Sequence, residues 1–286
     1  MTLPASVADL TETLRRGDYL ADRGLATAVH VALSLRRPLL LEGEVGVGKT
    51  EIAKVLATVL GRDLIRLQCY EGIDTSQALY EWDYSRQLLY IRTLSADVPT
   101  SQLFGPEFLL ERPLLRAVRA GDRAVLLIDE IDRADDEFEA FLLELLSDFQ
   151  ISIPEVGTIA AAAPPLVILT SNRTRELHDA LKRRCMYHWI DYPAFDREVE
   201  IVLLRQPSVP AVLARSVVAA VTRLRELDLV KPPGVAETID WARTLDFLGA
   251  SVLDRAFADD TLGAVVKDRD DLELVRESLG EIIGDA

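Results

Sequence analysis

Gly43-Glu44-Val45-Gly46-Val47-Gly48-Lys49-Thr50 fits the pattern GxxxxGK[ST], and its reading decides the fold. Glycines at these spacings let a backbone wrap an anionic phosphate with its N–H groups turned inward. In such a loop Lys49 reaches the outer phosphates and the Thr50 hydroxyl ligates Mg²⁺. The flanks supply the context the pattern needs. Upstream, Arg37-Pro38-Leu39-Leu40-Leu41-Glu42 reads as a buried parallel strand. Downstream, Ile52, Val55, Leu56 and Val59 recur at helical spacing, and Gly61 ends the run. The positive end of that helix dipole would lie beneath the phosphates. Gly43, Glu44, Val45, Gly46, Val47, Gly48, Lys49 and Thr50 are thus the candidate nucleotide-binding residues.

A second apolar run, Val125-Leu126-Leu127-Ile128, closes on Asp129-Glu130, the Walker B pattern. An open α/β sheet places its ligand site at the carboxyl ends of its strands. Asp129 would therefore hold Mg²⁺, directly or through water, opposite Thr50, and Glu130 would polarise an attacking water. Asn172 ends a third apolar run at residues 166–170; its neutral amide can hydrogen-bond both a γ-phosphate and the water. Beyond it lies Ala180-Leu181-Lys182-Arg183-Arg184. Adjacent arginines at a helix end are by default a solvated face. The sharper reading is an arginine acting on the site of a neighbouring subunit, a role worth roughly 10³–10⁵ in rate in phosphoryl transfer. Arg184 is favoured over Arg183. His30, His178 and His188 show no metal-ligand spacing and read as structural.

A length of 286 residues suits about two domains. The 32 basic and 47 acidic side chains leave a net charge of −15, a balance that repels nucleic acid and anionic membranes. Cys69 and Cys185 are too few for a disulfide framework and suit a reducing cytoplasm as unpaired structural thiols. Asp9 and Glu12 interrupt any leader-like start, and Pro164-Pro165 breaks the longest apolar run. The expectation is a cytoplasmic protein without membrane insertion.

Along the chain, residues 1–36 read as helical, with Leu25, Ala28, Val29, Ala32 and Leu33 on one face. Strands are expected at 63–68, 124–128 and 166–170, helices at 105–120 and 138–149, and a hairpin formed by Ile151-Ser152-Ile153-Pro154 and the Ala-Pro segment after it. Residues 72–94 read as irregular and partly amphipathic. After Asp196 strand signals disappear; helices are expected at 211–227, 235–248 and 272–283, with Pro232-Pro233-Gly234 separating the first two. The layout is a doubly wound parallel α/β domain over residues 1–195 and an α-helical domain over residues 196–286.

The order of phosphate loop, Asp129-Glu130, Asn172 and Ala180-Leu181-Lys182-Arg183-Arg184 resembles that of an AAA+ ATPase, over about residues 20–250. Leu40-Leu41-Glu42 with the loop, the insert after the second strand and the hairpin before Asn172 look like the MoxR family. Gln68-Cys69-Tyr70-Glu71-Gly72-Ile73-Asp74, Tyr80-Glu81-Trp82-Asp83-Tyr84 and Leu181-Lys182-Arg183-Arg184-Cys185 are similar to the branch linked to carbon monoxide dehydrogenase maturation. The resemblance implies a homohexameric ring holding ATP and Mg²⁺ between subunits, with the helical domain as a lid. It implies an ATP-driven chaperone that works with a von Willebrand factor A domain partner on a metalloenzyme client. For this branch the implied client is carbon monoxide dehydrogenase, whose copper–molybdenum centre is completed by sulfur and copper addition.

Two departures stand out. Val45 replaces the proline of many relatives at a position the loop chemistry leaves unconstrained. Where many AAA+ proteins carry a second sensor arginine early in a lid helix, Val235-Ala236-Glu237-Thr238 offers Glu237, and Arg243 follows nearly two turns later. A nucleotide-dependent scaffold with little turnover therefore stays open. So does a nucleic-acid motor or clamp loader of the same fold, which needs a basic loop facing the ring centre. The insert instead offers Trp82, Tyr84, Arg86, Leu88, Leu89 and Tyr90, more apolar than basic and suited to gripping protein. Residues 80–90 and 151–158 are the candidate client contacts.

Overall fold

Strands apolar on both faces are stable only inside a sheet covered on both sides. The computed structural model, which describes residues 4–93 and 103–284, places three such strands together. The first five strands are β1 (Leu39–Gly43), β2 (Asp63–Gln68), β3 (Tyr80–Trp82), β4 (Leu109–Glu111) and β5 (Ala124–Asp129). Then follow β6 (Gln150–Ile153), β7 (Gly157–Ala160), β8 (Leu166–Ser171) and β9 (Met186–Ile190). The main sheet has the order β2-β5-β8-β1-β9. Its pairs β2/β5, β5/β8 and β1/β8 run parallel, with Gln68 opposite Asp129, Val125 opposite Leu166 and Glu42 opposite Ser171. Every residue of β1, β5 and β8 is buried, whereas β2 alternates as an edge strand does.

The chain divides into two compact units, the first comprising residues 1–17, 21–42 and 50–189. Its core joins Leu40, Leu126 and Leu169 of the sheet to Leu114, Leu115, Phe138, Leu142 and Leu181 of the covering helices. The second unit comprises residues 18–20, 43–49 and 190–286. Its core is helical throughout, built on Leu213, Val217, Val221, Trp241, Leu245 and Leu262. There the Trp241 indole N–H donates to Thr261 Oγ1 at 2.7 Å, so even the largest buried ring has its polar atom satisfied. Among the described residues no helix is long and apolar enough to cross a membrane.

Several expectations needed correction. Residues 105–120 are a 3₁₀ turn at Pro106–Phe108, then β4, then the helix Pro113–Ala120. Pro113 forces Arg112 into an extended conformation, at φ −86 and ψ 171, and itself serves as the first helical residue. The stretch read as irregular holds the helix Thr75–Ala78, strand β3 and the helix Tyr84–Thr93; its last residue, Leu94, lies outside the described residues. The N-terminal stretch is two helices, Val7–Arg16 and Arg23–Leu35, capped by Ser6 and Asp22. Strand β9 and the helices Phe195–Arg205 and Arg255–Val265 had no sequence counterpart, and the last helix is split at Ser278.

The client-contact residues also divide. Trp82 is only 8% exposed, packed edge-on against Phe104 at 5.2 Å, and belongs to the core. Ile151 and Ile153 are likewise core residues, because a hairpin over a helix turns alternate side chains inward. Tyr84, Leu88 and Leu89 remain exposed on the helix Tyr84–Thr93.

Candidate functional site

Strand β1 delivers Gly43 at φ +154, where a side chain would collide with the Ile190 carbonyl oxygen. Gly46 follows at φ +78, and a Cβ there would lie 2.9 Å from the Gly234 Cα. The loop closes on its own lysine: the Lys49 ammonium, 6% exposed, donates to the carbonyls of Gly43 at 2.7 Å and Glu44 at 2.6 Å. The helix Val235–Phe247 begins against this loop, its Val235 N–H donating to the Gly46 carbonyl at 3.0 Å. Glu237 is the cap of that helix, accepting the Gly234 N–H at 3.0 Å. The residue found in place of a lid arginine therefore has a structural duty, and it sets a carboxylate beside Gly46.

In the first unit, Thr50 and Asp129 meet although 79 residues separate them: the threonine hydroxyl donates to Asp129 Oδ1 at 2.9 Å. Two hard oxygen donors this close fit the Mg²⁺ that accompanies a nucleotide. Asp129 is 2% exposed and fully engaged. Its Oδ1 also accepts from Thr170 Oγ1 at 2.5 Å, and its Oδ2 accepts from Arg66 Nε at 3.0 Å and Nη2 at 2.6 Å. Cys69 donates its N–H to the Asp129 carbonyl at 2.8 Å, and burial, reinforced by Asp129, pushes its thiol up to about 12.

Glu130 leaves the strand in the left-handed region, at φ 55, and its N–H donates to Thr170 Oγ1 at 2.9 Å. That turn swings its carboxylate out to Arg133, with Nε to Oε2 at 2.9 Å. Asn172, half-buried, follows β8, and its N–H donates to Asp132 Oδ1 at 3.2 Å. Thr50 and Asp129 are therefore joined directly and Asp129 and Glu130 through Thr170, while Asn172 is bonded to Asp132, two residues beyond Glu130 in the chain.

Arg183 and Arg184 end the helix Asp179–Arg184 and are both exposed. Neither hydrogen-bonds to Asp129, Glu130 or Asn172 among the described residues. Arg184 Nη1 donates to the Leu143 carbonyl at 2.5 Å. The end of this helix is held by Arg37, which donates to the carbonyls of Arg183 at 2.8 Å and Arg184 at 3.2 Å.

Arg66, Thr170, Asp132 and Arg37 escaped the sequence reading. A charge inside the apolar run of β2 was the one available signal for Arg66, and Asp132 stood in plain view two residues after Glu130. Nothing in the spacing of Thr170 or Arg37 distinguishes them from ordinary strand-end residues.

The AAA domain family, dynein-related subfamily, matches residues 38–185. Protein NorQ of Paracoccus denitrificans is 29% identical over 191 residues, which cover 64% of this chain and 63% of that protein. An uncharacterized protein of Staphylococcus saprophyticus is 25% identical over 183 residues, 62% of this chain and 63% of its own length. The chain thus spans less than two thirds of the length of these curated relatives. Among solved structures, the Thermotoga maritima RuvB Holliday junction branch migration motor superposes with a TM-score of 0.50 at 19% identity, covering 98% of this chain and 78% of that one. Another form of the same protein reaches 0.52 at 19% identity, covering 98% and 79%. At such identity the likeness is one of fold.

Proposed function

This chain belongs to the dynein-related subfamily of AAA domains, MoxR-like P-loop ATPases that use ATP with Mg²⁺, and we propose that it hydrolyses ATP to remodel a protein client. The single observation carrying the reading is the 2.9 Å bond between the Thr50 hydroxyl and Asp129, which joins the end of the phosphate loop to the acidic strand. Bound Mg²⁺ would neutralise charge on the phosphates. Thr50 and Asp129 would hold it, the acid directly or through water, and Lys49 would exchange the carbonyls of Gly43 and Glu44 for phosphate oxygens. Glu130, released from Arg133, takes the proton of the attacking water while Asn172 orients that water and the γ-phosphate.

Gly43, Glu44, Val45, Gly46, Val47, Gly48, Lys49 and Thr50 form the nucleotide cradle in this reading. Of the two arginines, Arg184 is tied to Leu143, so Arg183 has the freer guanidinium to offer a neighbouring subunit of a hexameric ring. The client is a metalloenzyme, carbon monoxide dehydrogenase by the segments around Cys69, Trp82 and Cys185, and the partner a von Willebrand factor A domain protein in the cytoplasm. The net charge of −15 speaks against nucleic acid as the substrate.

Glu130→Gln tests the chemistry: ATP binding stays, and phosphate release falls by about 10²–10⁴-fold. Unchanged release would remove Glu130 from the mechanism. The same variant, used as bait in the native cytoplasm, should retain a molybdenum hydroxylase or its maturation factors; retention of replication proteins would overturn the client. A second reading, a nucleotide-dependent scaffold, is favoured by Glu237, which stands in the helix segment where many AAA+ proteins carry a lid arginine and caps that helix instead. Wild-type phosphate release indistinguishable from that of Glu130→Gln, with and without the partner protein, would establish it.

A further inference from the structure

Arg173, next to Asn172, lies at φ 57, a left-handed conformation that a non-glycine residue keeps only when its surroundings enforce it. Its own N–H donates to Ser171 Oγ at 3.1 Å, and the N–H groups on either side of it are held by a carboxylate from the turn after β5. Asp132, 2% exposed, accepts the Asn172 N–H at 3.2 Å on Oδ1 and the Thr174 N–H at 2.8 Å on Oδ2. Its Oδ2 also accepts the Thr174 hydroxyl at 2.7 Å. The two N–H bonds bracket the strained residue, one on each side. Asp132 itself sits in the 3₁₀ turn Ile131–Arg133 that immediately follows Glu130. One buried side chain therefore links the turn that aims Glu130 to the turn that presents Asn172.

We propose that Asp132 is a positioning residue for hydrolysis, setting Asn172 relative to Glu130 by bracketing the left-handed Arg173. The proposal rests on the ATPase reading for the role of Asn172, and on geometry alone for the bracket. A carboxylate suits the place because it accepts every one of these bonds; an amide retains one acceptor oxygen, and its NH₂ faces a backbone N–H that can only donate. Burial makes the substitution matter, since water cannot replace what is lost.

The test compares Asp132→Asn and Thr174→Val with wild type, on the full chain, by amide exchange in NMR and by phosphate release. In Asp132→Asn, exchange at Asn172 and Thr174 speeds at least about ten-fold while the amides of β5 are unchanged. The same variant loses about ten-fold in kcat, with KM for ATP within two-fold, because the loss is one of orientation. Thr174→Val, which removes only the hydroxyl contact, loses less. In an Asn172→Ala background, Asp132→Asn costs under two-fold more, since there is no amide left to position. Exchange at residues 172 and 174 equal to wild type overturns the bracket. A full ten-fold loss persisting in the Asn172→Ala background overturns the positioning role. If wild type releases no phosphate at all, the hydrolysis reading fails, and the exchange measurement still decides the bracket.

Discussion

Arg66 grips Asp129: its Nε and Nη2 both reach the carboxylate Oδ2, at 3.0 Å and 2.6 Å, from the neighbouring strand of the sheet. One oxygen of the acid is thus committed to a guanidinium, and the other faces the Thr50 hydroxyl. The division orients the carboxylate before any ligand arrives, and it keeps a nearly fully buried negative charge compensated.

Arg66→Ala leaves that charge without its partner. Because the arginine is itself 49% exposed, the expected loss is moderate, about 1–3 kcal/mol, rather than that of a fully buried pair. A lower urea midpoint at constant slope is the measurement. Arg66→Lys should recover only part of it, because a point charge cannot supply the two-pronged contact. An unchanged midpoint in the alanine variant would mean the pair is solvated in solution.

Gly46→Ala adds a methyl group 2.9 Å from the Gly234 Cα, on a backbone at φ +78. The loop and the start of the helix Val235–Phe247 have to move apart, and the Val235–Gly46 bond goes with them. Nucleotide titration should show affinity at least about ten-fold weaker, an expectation that follows from the backbone cradle losing its shape. Wild-type affinity would show that the loop tolerates the clash.

In the second unit, Glu198 and Arg225, 1% and 10% exposed, form a two-pronged pair at 2.7 and 2.8 Å, with the Thr238 hydroxyl donating to Glu198 at 2.7 Å. Arg225→Met strands the buried carboxylate and should destabilise the protein by about 3–5 kcal/mol. Adding Glu198→Gln should return most of this, because a neutral amide tolerates burial far better. Equal melting temperatures for the single and double variants would contradict the account.

Both thiols are pushed up to about 12, chiefly by burial. Each is neutral in the folded protein over the whole range in which the unfolded thiol, at 9.0, begins to ionise. Their stabilising contribution is therefore complete below pH 9 and is lost as pH rises toward 12, at up to about 1.4 kcal/mol per pH unit for each thiol. Alkylation by iodoacetamide at pH 8.5 should be negligible until denaturant is added. Rapid labelling of native protein at that pH would show an accessible thiolate.

How far the sequence could be read depended on the range of the interaction involved. The phosphate loop is legible because its glycines, Lys49 and Thr50 act within one turn of chain, and the strands β1, β5 and β8 because full burial leaves an unbroken apolar run. Trp82 was misread because an aromatic near a polar insert carries no mark of which way it faces. Only the β3/β4 pairing, with Phe104 across the ring, turned it inward.

By itself, then, the sequence determined that a nucleotide-binding loop, an acidic strand end and a strand-terminal amide lie on one α/β sheet. Each is a local pattern, dictated by residue type and period. The tertiary structure alone decided what holds them. Arg66 reaches Asp129 across 63 residues, and Asp132 reaches Asn172 and Thr174 across 40 and 42. Those pairings exist because the order β2-β5-β8 sets the ends of three strands side by side. Hydrogen bonds form between neighbours in space, and no spacing along the chain encodes which strand will be the neighbour.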